Sequence, residues 1–147
     1  NSANLFEIKN LELHTEDGSK LKTNGSLKID PIDIKLKLNI NNFDVLNIAK
    51  YWPRKYYSET RDWLLENVKS GIIEDGQGNF KINKYSFKKD GFLDPSSFEI
   101  ILNVKDASVT YDKEFPAIHN IDASLKIRPD KILIESKKGQ TLTTAIK

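Results

Sequence analysis

The sequence predicts a mainly β fold, a meander of antiparallel strands that carries one helix. The first observation is segment 32–40, where every second residue is aliphatic and every residue between is Asp, Lys or Asn. That alternation is the pattern of a strand with one apolar and one solvated face. Similar runs recur along the chain, and one segment has helical spacing instead. For 147 residues we expect a single domain, 1–147.

Alternation marks seven or eight strands, and turn signals rich in Gly, Pro or Asp separate them. The alternating runs are residues 6–13, 21–29, 32–40, 80–87, 98–104, 107–111, 123–127 and 131–135. The segment Gly76-Gln77-Gly78 resembles part of a phosphate-binding loop, but a strand follows it where such a loop needs a helix. We therefore interpret this segment as a hairpin turn.

The helix is predicted at about 58–70 and is expected to pack on the sheet or cap it. Ser58 is interpreted as its N-cap, and Gly71 lies just beyond its end. At 100° per residue, Trp63 and Asn67 fall on one side, which we expect to face the sheet. A helix about 20 Å long covers only part of a sheet of seven or eight strands. Much of the apolar face of the strands is therefore left uncovered by the helix.

That surplus apolar surface has three possible outcomes. The sheet closes on itself as a sandwich or barrel, pairs with a further segment, or stays open and binds an apolar ligand. Leaving the five aliphatic residues of 32–40 in water would cost on the order of 8–15 kcal/mol, comparable with the stability of a whole domain. An open groove therefore needs an apolar occupant or partial closure.

Composition excludes several classes of function. The 23 basic and 21 acidic residues are interspersed, so nucleic acid is not expected as a partner. The chain has no cysteine, and His14 and His119 are its only histidines, so no metal, cofactor or catalytic site is predicted. No stretch of the chain reaches the ~18 apolar residues of a membrane span. The chain does not begin with methionine, and it ends in the polar run 141–147, where a strand is under way. We interpret it as a segment of a longer protein.

A set of spaced aromatic, Pro and Gly residues resembles the AsmA-like group of bacterial envelope proteins, and within it the central region of the YhdP-type members. The resemblance covers roughly residues 40–139, and it departs from the pattern where Phe115-Pro116 stands in place of Trp-Pro. The residues that carry it include Trp52, Pro53, Trp63, Asn67, Gly71, Tyr111, Phe115 and Pro116. We expect structural roles for these eight residues.

The resemblance implies a periplasmic protein anchored to the inner membrane, with a curved antiparallel sheet that forms a groove or partly open barrel. Its apolar groove would bind acyl chains and conduct glycerophospholipid toward the outer membrane. Expected partners are phospholipid acyl chains, adjacent β repeats of the same chain, and the membrane through parts of the protein outside this segment. The residues expected to line the groove are Ile32, Ile34, Leu36, Leu38, Ile40, Ile100, Leu102, Val104, Leu125, Ile127, Ile132 and Ile134.

Core packing explains each of these twelve residues equally well when it is taken singly. The main alternative is a closed β-sandwich that acts as an interaction or scaffold module of the envelope, without a lipid conduit. A hydrolase is a third and weaker possibility, because the acidic residues fall at turns where carboxylates are normally solvated. We expect a protein that is not an enzyme.

Overall fold

A computed structural model of the chain describes residues 4–52, 54 and 57–141, and side chains through residue 138. Seven antiparallel strands form one sheet in chain order, each pairing with the next. The strands are β1 (Leu5–His14), β2 (Lys20–Lys28), β3 (Asp33–Asp44), β4 (Val68–Asn83), β5 (Phe98–Val109), β6 (Ile118–Arg128) and β7 (Lys131–Thr141). Within the described residues β1 and β7 pair on one side only, so the sheet is open. The predicted antiparallel meander is confirmed.

The prediction of a hairpin turn at Gly76-Gln77-Gly78 is wrong. These residues lie in the middle of β4, which is 16 residues long. A Cβ atom on Gly76 would stand 2.6 Å from Leu102 Cδ2, and one on Gly78 would stand 3.0 Å from the Phe80 ring. The two glycines therefore leave room for large neighbouring side chains, a role that glycine has in strands as well as in turns.

The helical part of the chain lies between β3 and β4 and is referred to below as the β3–β4 connection. It contains a 3₁₀ turn (Val45–Asn47), helix α1 (Ile48–Tyr51) and helix α2 (Ser58–Asn67). The chain therefore has a short second helix in addition to the predicted one, and α2 ends three residues early. Val68 has an extended backbone and pairs with Val109 of β5. The last predicted helical turn is instead the start of β4.

Two local details of α2 also differ from the sequence prediction. Ser58 is its first residue rather than its N-cap, and the preceding Tyr57 is left-handed at φ 52° with no capping side-chain bond. Trp63 is 44% exposed, and α2 has no buried residue. The half-buried residues of α2 include Thr60, Leu64 and Asn67, which share the side expected to face the sheet, whereas Trp63 on that side is largely exposed.

Four strands contain a left-handed Asn or Asp residue. These residues are Asn10, Asn42, Asp106 and Asn120, each with φ near 52°. Asn and Asp tolerate this conformation better than other residues with a Cβ atom. Each stands between two apolar residues that are three positions apart yet lie on the same face of the sheet. The pairing register shifts around Asn10, Asp106 and Asn120, which indicates β-bulges that bend and twist the strand.

The register places most of the large apolar side chains of the seven strands on one face, the apolar face. Leu5, Ile72, Ile101 and Leu133 point to the opposite face. One row of paired residues crosses the whole sheet and contains Leu11, Thr23, Leu38, Gly78, Ile100, Ile127 and Ile132. Lysine, asparagine and acidic residues dominate the other side, the polar face. The core lies on the apolar face, where Val45 of the β3–β4 connection belongs to a buried cluster with Ile73 and Val104, and Ile48 packs against this cluster.

Candidate functional site

The candidate site is the apolar face, and the register brings the predicted groove residues together on it. Eleven of the twelve lie on β3, β5, β6 and β7, while Ile32 lies in the turn before β3. The strand residues align in neighbouring rows, for example Ile100 with Ile127 and Ile132. An adjacent row contains Leu13, Leu21, Ile40, Gly76, Leu102, Leu125 and Ile134. The predicted residues therefore form one continuous surface.

Burial divides the twelve residues into three groups. Leu102 and Val104 are buried in the core, so they present no surface to a ligand in this conformation. Ile132 and Ile134 on β7 are exposed. The remaining residues are half-buried: Ile32, Ile34, Leu36, Leu38, Ile40, Ile100, Leu125 and Ile127. Ten of the twelve therefore retain accessible apolar surface.

Sequence reasoning missed about as many residues of this face as it found. The register adds to the apolar face the side chains Phe6, Ile8, Leu11, Leu13, Leu21, Leu27, Phe80, Ile82 and Phe98. Their strands show the same alternation, which is the signal that could have identified them. Alternation separates two faces within one strand. Assigning faces across strands requires the register, which the left-handed bulges shift.

The β3–β4 connection covers one part of the apolar face and leaves another uncovered. Where it lies on the sheet, Phe43, Val45, Ile73, Leu102, Val104 and Ala107 form a buried cluster. We call this region the covered part. Phe6, Leu11 and Leu13 on β1 and Ile134 on β7 are exposed. These edge residues, with the half-buried Leu36 and Leu38 between them, form the uncovered part.

A cavity of about 220 Å³ lies on the apolar face at the end where β4 leads into its connection with β5. The cross-strand pair Ile34 and Ile82 contributes two of its walls. The ring of Tyr57 stands 6.3 Å from that of Phe92. The residues that line the cavity are Ile32, Ile34, Tyr57, Ile82, Phe87, Gly91, Phe92 and Leu93. The cavity thus lies where the apolar face meets the β3–β4 connection and the β4–β5 connection.

The polar face has different chemistry. Arg128 Nη2 lies 2.6 Å from Glu99 Oε2, and Asn103 Nδ2 donates to Asp75 Oδ1 at 2.8 Å. Both pairs cross neighbouring strands, and each is partly solvated, so each contributes little to stability. Lys35 and Lys37 are exposed on β3 between the apolar residues of the other face. This face has the composition of a surface that stays in water.

Three residues of the predicted motif have a defined local role. Asn67 Nδ2 donates to the Trp63 carbonyl at 2.8 Å, and the Asn67 carbonyl accepts from Thr110 N–H at 2.8 Å. Asn67 thus satisfies a backbone group within its own helix and ties α2 to the end of β5. Gly71 has φ +149°, and a Cβ atom there would meet the Ala107 Cβ at 3.1 Å. Close approach of β4 to β5 requires glycine at this position.

The other motif residues lie in the connections. Trp52 is half-buried at the end of α1, where its N–H donates to the Ile48 carbonyl at 3.0 Å. Tyr111, Phe115 and Pro116 are exposed between β5 and β6. Pro53 lies outside the described residues.

The titratable groups with resolved pKa shifts or close partners take part in local contacts. No group of three His, Asp or Glu side chains there could hold a metal ion. The backbone N–H of Asp106 lowers the pKa of Asp122, and hydrogen bonds from Ser96 lower the pKa of Asp94. His119 Nδ1 lies 2.9 Å from Ser108 Oγ across the β5–β6 pair. Each of these contacts is a local cross-strand or turn interaction.

None of the helices formed by the described residues is long and apolar enough to cross a membrane. No curated protein and no solved structure matches the chain. The YhdP protein family matches residues 2–147. This family is not a known enzyme family, and membership indicates a protein associated with the cell envelope. Because the match takes in nearly the whole length, the chain belongs to the YhdP family.

Proposed function

We propose that the apolar face binds the acyl chains of glycerophospholipid and conducts them between the inner and outer membranes. One observation carries this proposal: the register aligns apolar residues in rows that cross all seven strands of an open sheet. At about 4.8 Å per strand, such a row extends roughly 29 Å. The hydrocarbon core of a bilayer is about 30 Å thick and contains two layers of acyl chains. One row is therefore long enough for the chains of a lipid.

The lining chemistry supports binding of the chains rather than of a particular headgroup. Leu36, Leu38 and Ile100 offer apolar area but no directional bonds. Affinity then depends on the apolar area removed from water, and different acyl chains bind alike. A conduit needs this property, because a site that bound one position tightly would hold the lipid rather than pass it along. We also propose that the protein is not an enzyme.

The two edges of the sheet support a second component of the proposal. The outer sides of β1 and β7 have unpaired backbone groups within the described residues, and both strands are long. Such edges add further strands readily. We propose that adjacent β repeats of the same protein pair with them and extend the apolar face, within a larger periplasmic protein anchored to the inner membrane.

Photo-crosslinking in cells tests the proposal. A photoreactive residue is placed at Leu36 or at Lys37 of the full-length protein, because these neighbours point to opposite faces of β3. We expect phospholipid adducts at Leu36 and none at Lys37, since only Leu36 lies on the apolar face. Mass spectrometry of the adducts identifies the lipid.

The same experiment separates the conduit from the alternative interaction module. If Leu36 gave only protein adducts, or none, while the protein kept its fold, acyl chains would not occupy this face. The envelope module without a conduit would then be the better account. A sandwich needs a second sheet to cover the apolar face, and the described residues form a single sheet.

A further inference from the structure

The cavity beside the β4–β5 connection has walls of a kind that the rest of the apolar face lacks. Ile34 and Ile82 belong to the sheet, but Tyr57 comes from the β3–β4 connection. Phe87, Phe92 and Leu93 come from the β4–β5 connection. Together these side chains line a partly open pocket of about 220 Å³.

We infer that this cavity is a separate subsite that receives the end of a single hydrocarbon chain, with Tyr57 and Phe92 closing over it. The inference rests on the proposed function, since it takes acyl chains as the ligands of the apolar face. It adds a defined end position for the chain and assigns to the two connections a role in binding.

The chemistry of the walls selects hydrocarbon. The lining consists of three isoleucines, one leucine, two phenylalanines, one glycine and Tyr57, so it contains no charged group. An apolar cavity of about 150 Å³ stays dry and binds small apolar molecules such as benzene. The cavity also lies below the ~300–1,000 Å³ typical of sites for drug-sized ligands. It therefore suits one chain end and not a whole lipid or its headgroup.

The β4–β5 connection holds its part of the walls through an ordered backbone. Phe87 and Leu93 form an antiparallel bridge, Lys88 N–H donates to the Phe92 carbonyl at 2.8 Å, and Asp94 N–H donates to the Ser86 carbonyl at 2.7 Å. Gly91 makes the tight turn at its tip with φ +84°. Even so, Phe87 is 48% and Phe92 is 57% exposed. A bound chain would remove part of this aromatic surface from water.

Tyr57 completes the closure from the opposite side. Its left-handed backbone is unfavourable for a tyrosine, and its carbonyl accepts from Arg61 N–H at 3.1 Å in the first turn of α2. The Tyr57 and Phe92 rings are tilted by 52° to each other, a favourable arrangement for an aromatic pair. The contact joins the start of α2 to the β4–β5 connection above the sheet.

A photoreactive fatty acid tests the inference. The whole chain is irradiated with a sixteen-carbon fatty acid that carries a diazirine at its methyl end, and the labelled residues are mapped by mass spectrometry. We expect labels on residues 87–93 and on residues 36–38. Ile82→Trp fills the cavity from the sheet and is expected to reduce labelling of 87–93 at least tenfold, while labelling of 36–38 persists.

Two further variants keep the test decisive. Leu93→Trp fills the same cavity from the β4–β5 connection, so the test does not depend on the folding of one variant. Leu133→Trp places the same side chain on the polar face, at an exposed position of β7, and leaves both labels unchanged. Circular dichroism and the urea midpoint establish that each variant is folded.

The outcomes distinguish this inference from the proposed function. Labelling of 36–38 without 87–93 in the wild-type chain overturns the subsite and leaves acyl-chain binding intact. Labelling of 87–93 that persists in folded cavity-filling variants also overturns it. Absence of label from both segments contradicts the proposed function together with the subsite.

Discussion

Two isoleucines on the same face of the sheet differ in burial more than any other such pair. Ile73 on β4 is 1% exposed, whereas Ile134 on β7 is 61% exposed. Each points to the apolar face, although only Ile134 stands in an alternating run of the sequence. The difference comes from what lies above them, because Val45 and Ile48 pack over the region of Ile73. The strand register thus places both residues on one face, while the connection between β3 and β4 determines which part of that face becomes core.

The largest effect expected from this comparison is on stability. Ile73→Ala should lower the free energy of unfolding by about 2–5 kcal/mol, because it leaves a cavity in the buried cluster. Ile134→Ala makes the same chemical change on the uncovered part and should stay within about 0.5 kcal/mol. Urea unfolding of both variants measures the difference. Equal losses at the two positions would mean that the β3–β4 connection does not distinguish the two parts.

A smaller effect is expected at Gly76, which faces the covered part from the middle of β4. Gly76→Ala would put a Cβ atom 2.6 Å from Leu102 Cδ2, and such overpacking costs about 1–3 kcal/mol. Because the clash is with the end of a side chain, it should be relieved in a Leu102→Ala background. A double-mutant cycle in urea measures this coupling. Additive losses would place the strain in the backbone of β4 instead.

The smallest effect concerns the turn between β1 and β2, which contacts the start of the β3–β4 connection. Hydrogen bonds from the hydroxyls of Thr15 and Ser19 lower the pKa of Asp17 from 3.8 to about 2. The Asp17 carboxylate also accepts from the side chain of Asn47. A lowered pKa in the folded state stabilises the fold fully above pH 3.8, and this contribution is lost as the pH falls through about 2.

Asp17→Asn removes this charge and tests the sign of the effect. The variant should be less stable than the wild-type chain at pH 5, and the two should converge as the pH approaches 2. Thermal unfolding between pH 5 and pH 2 measures the difference. A gap that widened toward acid would show that the carboxylate does not receive these hydrogen bonds in the folded state.

The sequence was sufficient to predict the meander, the polar and apolar alternation and the approximate place of α2, because strand and helix periods are local properties. It was not sufficient for β4. Gly76 and Gly78 have the composition of a turn, and their real role depends on Leu102 and Leu38, which only the register brings near. Similarly, Val68 fits a helix or a strand until Val109 pairs with it.

The sequence was sufficient to predict an apolar strand face as the candidate site, but not to identify all the residues of that face. Ile34, Leu36 and Leu38 were identified on a single strand, where alternation suffices. Phe6 and Ile82 were missed, although both face the same way, because their strands are joined to β3 only through pairing. The burial of Leu102 and Val104 depends on Val45, a residue of the connection whose packing has no signature in the local pattern.

The left-handed residues Asn10, Asn42, Asp106 and Asn120 change which residues of their strands face the apolar side. Before each one, inward positions fall on one parity of residue number, and after it they fall on the other. Deleting a single residue elsewhere in a strand would send every later side chain to the wrong side. A deletion at one of these four positions would do the same by erasing the existing shift, so the number of residues between bulges is tightly constrained.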